Sequence, residues 1–172
     1  TDEIPLYPVA REIKSTMQSV RDKLVENQVN VENWIPKFDF ARAWEVFYAV
    51  GTYNLMYAQG TSFKDVREQL RFMWREATQG DKSFRKISKI PTIALGIFFN
   101  PSLKGYFTAL TERDNLIAQM DKELEKWDVW LCPVAMTAAF THRAKGAAIE
   151  VDGRKVPYQM ANGAYLVPFN LT

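Results

Sequence analysis

The chain has one cysteine, Cys132, and one histidine, His142, in 172 residues. A single thiol closes no intrachain disulfide, so a reducing, cytoplasmic setting is the expectation. One histidine and one cysteine are too few for a zinc-type centre. A hydrolase triad of the usual kind has only His142 as its base, and that residue sits in a polar stretch with Thr141 and Arg143, where a surface turn is the expected role. The 8 glycines are scattered and never adjacent, which removes the clustered glycines of a phosphate-cradling loop. Charge is nearly balanced, with 22 basic and 20 acidic residues for a formal +2, and offers no long-range field for a polyanion such as nucleic acid. The densest basic run, Lys82, Arg85, Lys86 and Lys89, reads as a solvated connector. No window approaches the roughly 20 apolar residues that cross a bilayer, and no charged-apolar-small leader precedes the first helix. Nothing in this residue set calls for a cofactor.

What the chain does have is aromatic surface: 5 Trp, 7 Tyr and 11 Phe within a composition that is 47% hydrophobic and 24% charged. That is ordinary for a globular domain with a substantial core, and the length suits one domain. Taken in order, the Ile4-Pro5-Leu6-Tyr7-Pro8 entry is extended, with Pro8 suited to a first helical turn. Val9, Ile13, Met17, Val20 and Leu24 then form one helical stripe. Alternation of Val29 and Val31 with Asn30 and Glu32 predicts a short half-buried strand. A broad aromatic helix follows over residues 40–57, with Gly51 as a site for a kink or close contact and Gly60 as its stop. Thr61 or Ser62 caps the next helix, whose inner face is read as Val66, Leu70, Met73 and Trp74.

Residues 93–99 are an apolar patch that fits helix or strand, with helix preferred. The longest helix begins at Pro101-Ser102 and reaches about Trp127. Its charges, Asp121, Lys122, Glu125 and Lys126, read as a solvated face rather than a carboxylate pair for acid–base work. Val129-Trp130-Leu131-Cys132, bounded by Asp128 and Pro133, predicts a fully buried strand. Asp152-Gly153 between short extended runs predicts a tight hairpin. From Gln159 the chain is expected to be helical to Ala164 or Leu166. Cys132 would need a positive neighbour or a helix N-terminus to become a nucleophile; a small buried residue is the preferred reading.

Three features in order resemble the C-terminal part of an amidase signature family protein. A long helix ends in Leu124-Glu125-Lys126-Trp127-Asp128 and runs into Val129-Trp130-Leu131-Cys132-Pro133, similar to the family's Asp-x-hydrophobic-hydrophobic-x-Pro strand. An Ala-rich passage follows. Tyr165-Leu166-Val167-Pro168-Phe169-Asn170-Leu171-Thr172 then resembles the family's run through Pro-Phe-Asn-Leu-Thr. The N-terminal helix, Asn-rich turn and Val-x-Val segment also resemble the helix that follows the family's signature region.

The resemblance implies an α/β fold, a predominantly helical portion of a helix-covered mixed sheet, with few short strands and one β-hairpin. It implies a hydrolase of carbon–nitrogen amide bonds acting on a small-molecule amide, through a lysine, a serine in a cis peptide and a nucleophilic serine set in a Gly/Ser-rich stretch. That stretch is absent: Ser15, Ser19, Ser62, Ser83, Ser88 and Ser102 have no adjacent glycine pair or serine partner, so no catalytic residue is assigned. Residues 1–172 are expected to be one C-terminal portion of an amidase domain, cut at both ends and inactive alone. Family members shape the acyl pocket with the middle helices and the loop after the position of Pro133. This makes Cys132, Pro133, Phe98 and Phe99 the candidate substrate-binding residues, although plain core packing is the commoner use of such aromatics. The rival reading is a helical binding or scaffold module without catalysis, and homo-oligomerisation is open under either.

Overall fold

A computed structural model describes residues 8–58, 63–87 and 90–171. The chain runs α1 (Arg11–Glu26), α2 (Phe40–Ala58), α3 (Phe63–Gln79), α4 (Lys82–Ile87), α5 (Ile90–Phe99), α6 (Leu103–Leu124), β1 (Ile149–Val151), β2 (Arg154–Val156), α7 (Tyr158–Gly163) and α8 (Val167–Leu171). It is a predominantly helical α/β arrangement whose sheet, among the described residues, is one antiparallel hairpin. α2 is its axis and packs against α5, α6 and α8. Phe40, Ala43, Trp44 and Val46 recur at helical spacing and are all buried, so one stripe of α2 faces the core.

The hairpin forms for the reason the sequence suggests. Asp152 and Gly153 both take positive φ, 47° and 80°, the geometry of a two-residue primed turn. Register pairs Ile149 with Val156 and Glu150 with Lys155. Ile149, Val151 and Val156 therefore face the core, while Glu150 and Lys155 form an exposed cross-strand pair of opposite charge. The Asp152 carboxylate also accepts from the Arg11 backbone N–H at 3.0 Å, tying the turn to the first residue of α1.

The Ala-rich passage has no regular structure, but its middle is pinned at Met136. Its carbonyl accepts from the Ala10 N–H at 2.8 Å, and its N–H donates to the Ala161 carbonyl at 2.9 Å. With its side chain fully buried, Met136 joins the N-terminal end of α1 to α7 and satisfies backbone groups that burial would otherwise strand. Gly80 makes the α3–α4 corner. An added Cβ there would lie 2.7 Å from Cγ of Pro157 and 2.8 Å from its Cδ, and Pro157 is a fully buried, rigid ring. Gly80→Ala is expected to cost about 1–3 kcal/mol by overpacking, read as a lowered urea midpoint; an unchanged midpoint would show that the corner relaxes freely.

Several expectations hold. α5 is a helix, α6 begins after Ser102, whose Oγ accepts from the Gly105 N–H at 3.0 Å, and Asp121, Lys122, Glu125 and Lys126 are exposed, although α6 ends at Leu124, short of Trp127, so the last two lie beyond it. Others are corrected. Residues 29–31 and 129–132 form no ladder and are not strands. Val129, expected to be buried, is 80% exposed, and Leu131 is 40% exposed. Alternating or apolar runs become strands only when a neighbour accepts their backbone bonds, and neither has one among the described residues. α1 begins after Pro8, with Ala10 as its N-cap. Gly51 meets nothing within 4 Å and α2 passes through it unbroken. The inner face of α3 is displaced: Trp74 is 64% exposed, Leu70 is exposed, and Glu76 is buried. The C-terminal Pro-Phe-Asn-Leu run is helical, in α8. Residues 4–7, Gly60 and the Thr61/Ser62 cap lie outside the described residues.

Candidate functional site

A cleft of about 310 Å³ is built from three segments. The middle and C-terminal part of α1 supplies Met17, Arg21 and Leu24; residues 29–34 form a second wall, and residues 127–131, after α6, a third. Amphipathic spacing on α1 places Met17, Arg21 and Leu24 on one side. Aromatic contacts hold the other two walls together. Trp34 lies 5.5 Å from Trp127 and 5.9 Å, edge-on, from Trp130. Trp130 is itself wedged against Phe40 and Phe169, with ring centroids 6.3 Å and 5.1 Å away. These centroid separations suit offset and edge-to-face aromatic pairing, so the cleft leans on the α2 core through Phe40.

Among the described residues, the Nε–H of Arg21 and the Nε1–H of Trp130 are buried without an acceptor. Leaving a buried donor unpaired costs about 1–3 kcal/mol, which singles the two out. The acidic lining residues, Glu32 and Asp128, are solvent-exposed.

None of the four residues expected to touch substrate lines this cleft. Cys132 and Pro133 directly follow its third wall. Cys132 is half-buried and Pro133 buried, and burial pushes the Cys132 thiol up, away from the thiolate form. Phe98 and Phe99 end α5, where they pack edge-to-face on each other at 5.7 Å; Phe98 is half-buried and Phe99 76% exposed. His142 is exposed, in irregular chain before the turn at residues 145–146 rather than in a turn itself. The described serines have structural tasks or face water: Ser19 Oγ donates to the Ser15 carbonyl at 3.0 Å, Ser102 caps α6, and Ser83 is exposed. Among the described residues no three His, Cys, Asp or Glu side chains group as metal ligands, and no helix is long and apolar enough to cross a membrane.

A second chemical feature lies inside the fold. Glu76 of α3 is only 2% exposed, and its Oε1 and Oε2 accept from the Gln159 backbone N–H at 3.1 and 3.3 Å. Burial pushes its carboxyl up to about 7, against the pull of the Gln159 and Tyr158 backbone N–H groups at the start of α7. The Tyr48 hydroxyl donates to Oε1 of Gln159, and burial together with the Glu76 charge pushes that phenol up. The sequence did carry a signal for Glu76. It sits four residues after Phe72 and three after Met73, both half-buried, so a carboxyl stands on the packed stripe of α3.

Helices around a small hairpin, with two extended segments that have no ladder partner among the described residues beside a tryptophan-lined cleft, make this a helix-rich α/β arrangement. The chain belongs to the Amidase family, which it matches over residues 2–172. No curated protein matches it, and no solved structure does.

Proposed function

We propose that this chain is the C-terminal portion of an amide hydrolase domain, supplying scaffold and substrate-pocket wall, and that it does not cleave amides alone. The observation that carries the reading is the family match over residues 2–172 in a chain whose described serines are occupied as caps, engaged along a helix or exposed on one. A serine becomes a nucleophile only with a base in reach, and Cys132 is held as a thiol by burial. A lysine and two serines would come from a Gly/Ser-rich segment working with this one in a cytoplasmic enzyme. Exposed Val129, Leu131 and Val134 support the reading, since apolar side chains beside unpaired extended backbone are surfaces that further polypeptide covers. They also offer a route to homo-oligomers. Pro133 and Cys132 adjoin the cleft and remain the pocket-wall candidates there, with Phe98 and Phe99 as the candidates on α5.

Ammonia release from phenylacetamide tests the proposal. The purified chain is expected to give none above buffer, with or without Cys132→Ala. The gene is expected to encode a Gly/Ser-rich segment with a lysine and two serines upstream of Thr1. Turnover by the isolated chain that disappears in Cys132→Ala would overturn the reading, and so would an upstream sequence without such a segment. A cooperative monomer that exposes no dye-binding apolar surface would favour the rival helical binding module.

A further inference from the structure

We propose that Glu76 is a pH-operated latch: protonated, it closes α3 onto α7 and holds the irregular segment 136–148 between them; ionised, it frees that segment to open. Residues 136–148 have neither helix nor strand of their own and are held at two ends. At the first, the Met136 N–H donates to the Ala161 carbonyl of α7 at 2.9 Å, while the Met136 carbonyl accepts from Ala10 before α1. At the second, one face of α3 does the holding, through residues spaced three and four apart. Gly146 seats on Phe72, Arg75 Nη1 donates to the Lys145 carbonyl at 2.9 Å, and Gln79 Oε1 accepts from the Ala148 N–H at 3.3 Å. Glu76 lies on that same face and joins the two anchors, since both its oxygens accept from the Gln159 N–H at the start of α7. The Tyr48 hydroxyl, donating to Gln159 Oε1, adds α2 to the cluster.

Inside this cluster a carboxyl is better accommodated without its charge. Glu76 is only 2% exposed, and burial outweighs the opposing pull of the Gln159 and Tyr158 backbone N–H groups. α2 and α7 bring the phenols Tyr48 and Tyr158 to the junction, and α5, which also packs on α3, has no charged or titratable residue. Arg75 directs Nη1 to the Lys145 carbonyl, and His142, Arg143 and Lys145 on the segment are exposed. As pH rises, the charge on Glu76 is relieved by water, which reaches it when α3 and α7 part and the segment lifts. Each pKa unit between the closed and open states is a tenfold change in the opening equilibrium. A carboxyl at about 7 when closed and at the ordinary value of about 4.3 when hydrated therefore raises opening roughly 100- to 200-fold from pH 4.5 to 8.

Amide hydrogen exchange of the purified chain, followed residue by residue by NMR at pH 4.5, 6 and 8, tests the latch, with protection taken relative to unstructured chain at each pH. The Met136, Ala148 and Gln159 amides are expected to be less protected at every pH than those of Val46 and Leu116, on the buried faces of α2 and α6, the mark of a local opening. Their protection is expected to fall roughly 100- to 200-fold from pH 4.5 to 8. Glu76→Gln keeps an acceptor and removes the charge, so in that variant the three amides should hold their acid protection at pH 8. His142→Gln, which removes the segment's imidazole, should leave the fall intact. Protection equal to that of Val46 and Leu116, protection that does not change with pH, or a fall that persists in Glu76→Gln or vanishes in His142→Gln would each overturn the proposal. If Glu76→Gln does not fold, the first two comparisons on the unaltered chain decide alone. None of these outcomes turns on the amide hydrolase reading, which stands or falls on the upstream segment and on hydrolysis.

Discussion

Trp44→Ala is expected to destabilise the fold by about 3–5 kcal/mol, the range for deleting a buried aromatic, and to lower the melting temperature by roughly 6–20 °C for a domain of this size. Trp44 is 4% exposed in the second turn of α2. It stacks on Tyr48 at 5.3 Å with an interplanar angle of 18°, and its indole lies close enough to α7 that an added Cβ on Gly163 would be 3.3 Å from its Cη2. The ring thus fills the space where α2, α7 and the following turn meet. Its Nε1–H also donates to the Ala164 carbonyl at 3.4 Å, a long bond of modest value. Trp44→Phe separates the two contributions: it keeps an aromatic ring against Tyr48 and loses the hydrogen bond and the outer ring. A loss for Trp44→Phe well below that for Trp44→Ala in urea unfolding is the expected result. Equal losses would show that the indole N–H, not ring packing, holds the junction, and a loss under about 1 kcal/mol for alanine would show that the site collapses freely.

What the sequence made legible were features decided within a few residues. Ser102 caps α6 and Asp152-Gly153 turns the hairpin because the required side chain or φ belongs to the residue itself. Where it misled, a distant neighbour decided. Val29-x-Val31 and residues 129–132 have strand-like patterns, yet no ladder partner lies beside them among the described residues. α3 offers two overlapping apolar stripes. The one containing Leu70 and Trp74 reads well in isolation, but Gly146 seats on Phe72, where an added Cβ would meet Cδ2 at 2.8 Å, and Gln159 seats on Glu76. Those tertiary partners turn Trp74 outward. The cleft was hidden for the same reason: Arg21, Trp34 and Trp130 come from three segments, and no local pattern joins them. The family resemblance was legible because it rests on ordered local motifs, and the family match spans residues 2–172.

Glu76 should make stability fall as pH rises through the weakly acidic range. Burial pushes its folded carboxyl up to about 7 from the ordinary glutamate value of about 4.3, so between those values the folded state holds a proton that the unfolded state has released. Unfolding then loses bound proton, and the free energy of unfolding decreases with pH. Below about pH 4.5 both states are protonated and Glu76 contributes no slope; above about 7 both are ionised and the loss is complete. The difference corresponds to about 3 kcal/mol across the window, undiminished by solvent screening because the side chain is buried. Glu76→Gln is expected to flatten the profile. Its amide carbonyl still accepts from the Gln159 N–H, and it carries no charge to desolvate, so the variant should match the parent near pH 4.5 and exceed it near pH 8. Glu76→Ala should be less stable than the parent at acid pH, since the Gln159 N–H loses its acceptor and a cavity opens beneath α7. Urea midpoints at pH 4.5, 6 and 8 check the argument. A parent as stable at pH 8 as at 4.5, or a Glu76→Gln variant with the parent's slope, would place the titration elsewhere and leave Glu76 as a charged cap of α7.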